Sequence, residues 1–258
     1  MTAHASLDPG SVPATSAALL AAVRSGDAER ARAIRSHLAA LEPAALAREL
    51  PSDAERVATW VNLYNAAARQ LVDSDLTRVR HRLSSFRRPV ITVAGTPLSL
   101  DAVEHGLLRR SRWKIGLGWL GNPWPGDFER RYRVERVDPR IHFVLNCAAA
   151  SCPPIDAYLP GRLDAQLDVA TRGYLATCVR RDGSRLVVPR LFLWFSGDFG
   201  GPAGVRRFLL RHGVDAMGGR LTYTAWDWTA SPAPWAPKGP TPGTRVGPDG
   251  QDEGMDGG

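Results

Sequence analysis

Lysine is almost missing from this chain. Of 33 basic residues in 258, only Lys114 and Lys238 are lysine; the others are arginine. Acidic residues number 26, which leaves a formal charge of +7. With lysine so scarce and alanine abundant, the excess reflects a preference for arginine as much as selection for phosphate binding. Cysteine is scarce too. Cys147, Cys152 and Cys178 are too few for a disulfide framework in a chain this long. No run approaches the roughly 18 apolar residues of a membrane helix, so no membrane partner is expected. The opening MTAHASLDPGSVPATS lacks the basic start and apolar core of a secretory signal, and the expected location is cytoplasmic. No phosphate loop, dinucleotide fingerprint or GxSxG elbow is expected either.

The charge that is present is concentrated. Between Leu76 and Arg140 there are 14 Lys and Arg against 6 Asp and Glu, a local excess of +8. Trp113, Trp119 and Trp124 lie among these cations. Arginine interleaved with aromatics suits nucleic acid or an acidic ligand. The plainer reading is a solvated arginine-rich face, so nucleic acid is not the expected partner.

Hydropathy and punctuation predict an α+β chain, with a helical N-terminal part followed by a mixed helix/strand core carrying a small, mostly antiparallel sheet. Residues 1–15 read as a disordered N-terminus, 16–229 as a single domain, and 230–258 as a disordered tail in which 13 of 29 residues are Gly or Pro. Residues 16–71 read as helices divided at Glu42-Pro43 and Leu50-Pro51. Ser52-Asp53-Ala54-Glu55 is a capping-box pattern, and Val57, Trp60, Tyr64, Ala68 and Leu71 follow it as an apolar stripe. PVITVAGTPL (89–98) reads as a hairpin and Asp101-Ala102-Val103-Glu104 as a second capping box. RIHFVLNC (140–147) reads as a buried strand, LVVPRLFLWF (186–195) as strand broken at Pro189, and LTYTAWDW (221–228) as extended chain. Helices are expected at 162–179 and 204–212, with an irregular Gly/Trp/Pro loop at 113–128.

The densest chemistry lies in HFVLNCAAASCPP (142–154). On a strand, His142, Val144 and Asn146 share one face and Cys147 takes the other. Cys152 falls beyond the strand at a turn held by two prolines. A thiol at such a turn, near backbone amides, is placed to be stabilised as a thiolate nucleophile, whereas Cys147 also fits a small core residue. A cysteine nucleophile needs a base, and His105 is the candidate. Its neighbour Glu104 points about 100° away on a helix, which suits a cap, so Asp227, between Trp226 and Trp228, is the candidate orienting acid. Asn62 and Asn65 lie three apart on one helix flank, where asparagine is a poor interior residue, and suggest a polar network. His142-x4-Cys147-x4-Cys152 supplies zinc-type ligands, but alternation turns the first two apart; neither a metal nor a cofactor is expected.

WVNLYNA (60–66), SLDAVEHGLLR (99–109), DPRIHFVLNCAAASCPPI (138–155), FLWFSGDF (192–199) and the closing WDW (226–228) together resemble the domain-of-unknown-function 547 family. Trp226 stands where the family's closing motif has tyrosine. The resemblance implies that Asn62, Asn65, Glu104, His105, His142, Cys147, Cys152 and Asp227 are signature positions. It is also consistent with a distant relation to papain-like cysteine-peptidase folds, with His and Cys in permuted order. The expected function is a cysteine-nucleophile hydrolase or acyltransferase acting on an amide, ester or thioester of a small-molecule or peptide substrate. Cys152 is its nucleophile, with His105, Asp227, Cys147 and Asn65 in the catalytic set and Asn62, Glu104 and His142 near the substrate. The alternatives are a non-catalytic module whose basic surface binds an acidic ligand or polyanion, and a zinc-binding protein.

Overall fold

The computed structural model describes residues 10–74, 85–147 and 149–229. Four helices open the chain: α1 (Val12–Ser25), α2 (Ala28–Ala39), α3 (Pro43–Glu49) and α4 (Asp53–Ser74). The first begins four residues earlier than expected, so 12–15 is helix. Ser11 caps it through the Ala14 amide at 3.5 Å, and proline occupies the first turn. The start of α4 follows its capping box: Ser52 Oγ accepts the Ala54 amide at 3.2 Å and the Glu55 carboxylate accepts the Ser52 amide at 3.2 Å. From Val57 to Ala68 every residue of α4 is buried. The stripe has widened to the full circumference because α1 covers one flank and later segments cover the others. Trp60 is anchored there by its indole N–H, which donates to the Tyr132 carbonyl at 3.0 Å.

The expected hairpin forms from β1 (Pro89–Val93) and β2 (Thr96–Ser99), antiparallel, with Ile91 opposite Leu98. Its turn residues Ala94 and Gly95 both have positive φ, the geometry that matches strand twist. Residues Ala102–Leu108 form a π-helix, not the expected α-helix. The Arg109 amide reaches the Glu104 carbonyl at 2.9 Å and the Ser111 amide reaches Gly106 at 2.8 Å, each five residues back. Nor does Asp101-Glu104 act as a capping box. Ser99 Oγ accepts the Ala102 amide at 3.1 Å, while the Asp101 carboxylate holds Lys114 at 2.9 Å. The irregular loop ends in α5 (Asp127–Tyr132). Its GLGWLG run (116–121) has GxGxxG spacing, but it lacks the preceding strand and following helix of a dinucleotide turn.

The strand expected at 140–147 is not formed. Pro139–Phe143 is a 3-10 helix, capped by Asp138 through the Arg140 amide at 2.9 Å, and the chain then runs irregularly. The physical reason lies on α4. Asn65 Nδ2 donates to the Val144 carbonyl at 2.9 Å and its Oδ1 accepts the Asn146 amide at 2.9 Å. One side chain thus satisfies backbone groups that a strand partner would otherwise take. Helix α6 (Leu163–Cys178) then leads to β3 (Arg180–Asp182) and β4 (Arg185–Val188). The chain after Pro189 is helical, forming α7 (Leu191–Trp194), α8 (Ser196–Phe199) and α9 (Gly201–Arg211). Strand β5 (Arg220–Tyr223) closes the sheet: β4 pairs antiparallel with β3 and parallel with β5.

The result is α+β, with the N-terminal helices and two small sheets. One buried cluster joins α1–α4, the hairpin and the π-helix. The other is aromatic: Phe143 stands 5.7 Å from Phe192, 6.2 Å from Phe199 and 5.5 Å from Phe208 between ring centroids. Among the described residues no helix is long and apolar enough to cross a membrane. The tail expected from 230 and the basic positions Arg78, Arg80 and Arg82 lie outside the described residues.

Candidate functional site

The described residues on the two sides of position 148, 146–147 and 149–153, lie against one another. Asn146 Nδ2 donates to the Pro153 carbonyl at 2.5 Å, closing the loop's base. Tyr174 of α6 donates its hydroxyl to the Ser151 carbonyl at 2.9 Å. The C-terminal stretch lies alongside: the Ala150 amide donates to the Thr229 carbonyl at 2.9 Å and the Asp227 amide to Ser151 Oγ at 3.0 Å. This folding turns Cys152 inward. Its Sγ accepts the Cys147 backbone amide at 3.2 Å, and the Cys147 thiol is in hydrogen-bonding contact with it. Neither cysteine is in a disulfide. Burial pushes the Cys152 thiol well above its ordinary value, and the adjoining Cys147 thiol adds to the rise. The amides of Ala149 and Cys147 pull the other way without overcoming it. At neutral pH the sulfur is therefore a protonated thiol with amide donors already directed at it.

Within electrostatic reach of the thiols stands Tyr64, buried on α4. Its hydroxyl donates to Glu104 Oε2 at 3.2 Å. Burial pushes the phenol well up, with further contributions from the charges of Glu104, Cys147, Cys152 and Asp101. Burial alone raises the Glu104 carboxyl as well. The basic side chains around it, His105 first and then Arg109, His142 and Lys114, reverse this and hold it below the usual carboxylate range. Glu104 is thus a member of a buried network, not a helix cap.

His105 lies one residue further along the π-helix, 8% exposed. Its Nδ1 is 2.9 Å from Arg109 Nη1. A guanidinium can only donate, so Nδ1 accepts and the ring proton sits on Nε2. Burial lowers the imidazole below its ordinary value, and Arg109 lowers it further against the opposing pull of Glu104 and Asp101. The neutral ring consequently has its one lone pair occupied. Among the described residues, the carboxylates within 4.0 Å of it are Asp101, at 3.9 Å, and Glu104, at 3.7 Å. Asp227 is not one of them. That residue is exposed, its carboxylate accepts the Thr229 amide at 2.8 Å, and it meets the cysteine loop through its backbone.

Arg109 is itself fully buried and is held by Asp198 of α8. Nε lies 2.6 Å from Oδ2 and Nη2 lies 3.3 Å from Oδ1. His142 Nε2 is 2.9 Å from the same Oδ2, and its ring stacks on Phe195 at 4.0 Å. Arg112 Nε approaches Oδ1 at 3.4 Å. Burial raises the Asp198 carboxyl, but His142 and Arg109 hold it below its usual range.

The site residues divide into three groups. Cys147 and Cys152 adjoin one another, with Tyr64 in electrostatic reach of both. Glu104 and His105 adjoin Arg109. His142 belongs to the Asp198 cluster. Among the described residues no three His, Cys, Asp or Glu side chains converge as a metal site, and the His142-Cys147-Cys152 set is not brought together. Asn65 clamps residues 144–146, and Asn62 clamps Tyr158: its Oδ1 accepts the Tyr158 amide at 2.9 Å and its Nδ2 donates to the Tyr158 carbonyl at 2.9 Å. Both asparagines hold backbone rather than face an opening. Tyr64 stands in the apolar stripe of α4 and Arg109 is one arginine among many, so neither is announced by the sequence. The signal for Asp198 is only a single acid inside the aromatic run LFLWFSGDF (191–199).

Residues 48–175, which include Tyr64, the π-helix and the cysteine loop, match the family described as "Protein of unknown function, DUF547". No curated protein and no solved structure matches the chain.

Proposed function

The chain belongs to the DUF547 family, and from the geometry of its thiol loop we propose a thiol-dependent acyl hydrolase or acyltransferase with Cys152 as the nucleophile. The observation that carries the reading is the amide cage: a buried sulfur accepts the Cys147 N–H at 3.2 Å and is also favoured as thiolate by Ala149. Backbone donors aimed at sulfur cost nothing to reorganise when charge develops there.

In the proposed step Cys152 Sγ attacks the acyl carbon of an amide, ester or thioester. Its proton is relayed to Glu104 through Tyr64, which donates to Glu104 at 3.2 Å and lies in electrostatic reach of the sulfur. Glu104 takes the base role first expected of His105, because Arg109 occupies the imidazole lone pair. The C–S bond forms, and collapse of the adduct breaks the bond to the leaving group, which takes the proton back through Tyr64. Water or an acceptor nucleophile then breaks the C–S bond and frees the thiol. Arg109 acts as a positioning residue that keeps Glu104 ionised between turnovers, and it also fixes the His105 ring beside it. Cys147 supplies its amide to the nucleophile.

The test uses the full chain with p-nitrophenyl acetate as the acyl donor and peptide mapping by mass spectrometry. The expected adduct is acetyl on Cys152. It is absent in Cys152→Ala and retained in Cys147→Ser, and Glu104→Gln slows its formation by about 10². Acetylation mapped to Cys147 or Cys178, or none at all in a chain whose circular dichroism is intact, overturns the proposal.

A further inference from the structure

Eleven large hydrophobic side chains are exposed among the described residues, and six of them fall between positions 113 and 124: Trp113, Ile115, Leu117, Trp119, Leu120 and Trp124. Ile115 is 75% and Trp124 82% exposed. Apolar residues scattered singly on a surface need no explanation, but this concentration does.

The segment that carries them is well anchored. The Trp113 amide donates to the Leu120 carbonyl at 2.9 Å, the Trp119 amide to Gly116 at 2.9 Å and the Asn122 amide to Ser111 at 2.5 Å. Its tip is fastened to α8, where the Gly197 amide donates to the Leu117 carbonyl at 2.7 Å. The backbones meet so closely that a Cβ on Gly197 would collide with the Gly118 carbonyl group. Leu117 is held at φ +54°, a conformation a leucine rarely adopts. The fold therefore accepts local strain in order to hold this loop with its apolar side chains in water.

Within the loop's own segment the charge has one sign. No acidic residue occurs between Glu104 and Asp127, whereas Arg109, Arg110, Arg112 and Lys114 do; of these, Arg109 and Arg112 meet Asp198, and Lys114 meets Asp101. Arg110 and Lys114 are exposed beside the tryptophans. A second copy docking on this face by two-fold symmetry would set the exposed Arg110 against its own equivalent, with no acid in the 105–126 segment to answer it. An anionic bilayer complements both properties. Tryptophan and leucine enter the headgroup boundary while arginine and lysine meet the phosphates.

We propose that the 113–124 loop is a peripheral docking surface for an anionic lipid membrane. It is a surface contact and does not involve a bilayer-crossing helix, which the described residues do not contain. Crossing a bilayer takes a long apolar run, but interfacial docking takes only a few aromatic and aliphatic side chains on a basic loop.

The full chain is sedimented with phosphatidylcholine vesicles, with and without phosphatidylglycerol, while tryptophan emission is recorded. Binding is expected only with phosphatidylglycerol, with a blue shift. The double variant Ile115→Ser/Trp119→Ser is expected to weaken it by about 10-fold or more, and Arg110→Glu by about 5-fold. All substituted positions are exposed, and circular dichroism checks that each variant is folded. The proposal is overturned by failure to pellet with anionic vesicles, by equal binding to neutral ones, or by binding that the substitutions leave unchanged. Concentration-dependent dimerisation that the double variant abolishes would assign the face to a second copy instead.

Discussion

Cys152 and Asp198 are both acidic groups buried in the same chain, yet burial leaves one protonated and the other ionised. Around Cys152 the opposing influences are two backbone amides, and they do not overcome desolvation. Around Asp198 they are Arg109 in a two-pronged contact and His142 on the same oxygen, and there the carboxylate form is held. The contrast teaches that dipoles alone leave a buried acid neutral, while a full opposing charge at hydrogen-bond distance keeps it ionised. Glu104 and Tyr64 stand between the two patches and join the neutral side to the charged one.

The sharpest way to break this contrast is Asp198→Ala. It strips a fully buried guanidinium of its counter-charge while leaving Arg109 in place. The expected loss is about 3–5 kcal/mol in a denaturant melt. If Arg109→Met is then added, much of the loss is expected to return, because the orphaned charge is gone. A single-variant loss below 1 kcal/mol would show that the charged patch is far better solvated than its burial indicates.

Asn65→Ala tests the neutral side. It leaves the Val144 carbonyl and the Asn146 amide without their side-chain partner, at a cost of about 2–3 kcal/mol. Denaturant midpoints measure it. Iodoacetamide labelling of the cysteine loop is expected to quicken as the segment loosens.

The smallest effect concerns pH. The folded value of His105 lies below its unfolded value of about 6.5. As pH falls through 6.5 the unfolded chain takes up the proton first, so this contribution to stability is present above 6.5 and declines as pH drops toward the folded value. Glu104 and Asp198, also depressed, act in the same direction at lower pH: their contribution holds above the unfolded carboxylate values and is lost as pH falls through the folded ones. Melting temperature is expected to fall between pH 7 and 5, and His105→Gln is expected to flatten that slope. An unchanged slope would place the responsible proton elsewhere.

Much of the fold could be read from residue patterns. The helices of 16–71, the hairpin at 89–98 and the helix at 162–179 follow from periodicity, caps and turn residues, because those signals act over a few neighbours. RIHFVLNC could not be read in that way. A short apolar run suits strand or tight helix equally, and the choice depended on Asn65, some 80 residues earlier in the chain, taking its backbone groups. Similarly, DAVEHGLLRR carries the signals of an ordinary helix. Its five-residue hydrogen bonds bring Glu104, His105 and Arg109 into one buried network, and no local pattern announces them.

The sequence alone determined where the chemistry is concentrated: two cysteines five residues apart, a Glu-His pair, two asparagines on one helix and a basic stretch with three tryptophans. Those are properties of composition and spacing. Only the tertiary structure decided what each group can do. It enclosed Cys152 with amides, filled the His105 lone pair with Arg109, and brought Asp198 in from almost 90 positions away to hold that arginine. It also left Asp227 in water and the tryptophan loop uncovered. Protonation, burial and exposure depend on which distant groups come within a few ångströms, and that is fixed only when the chain packs.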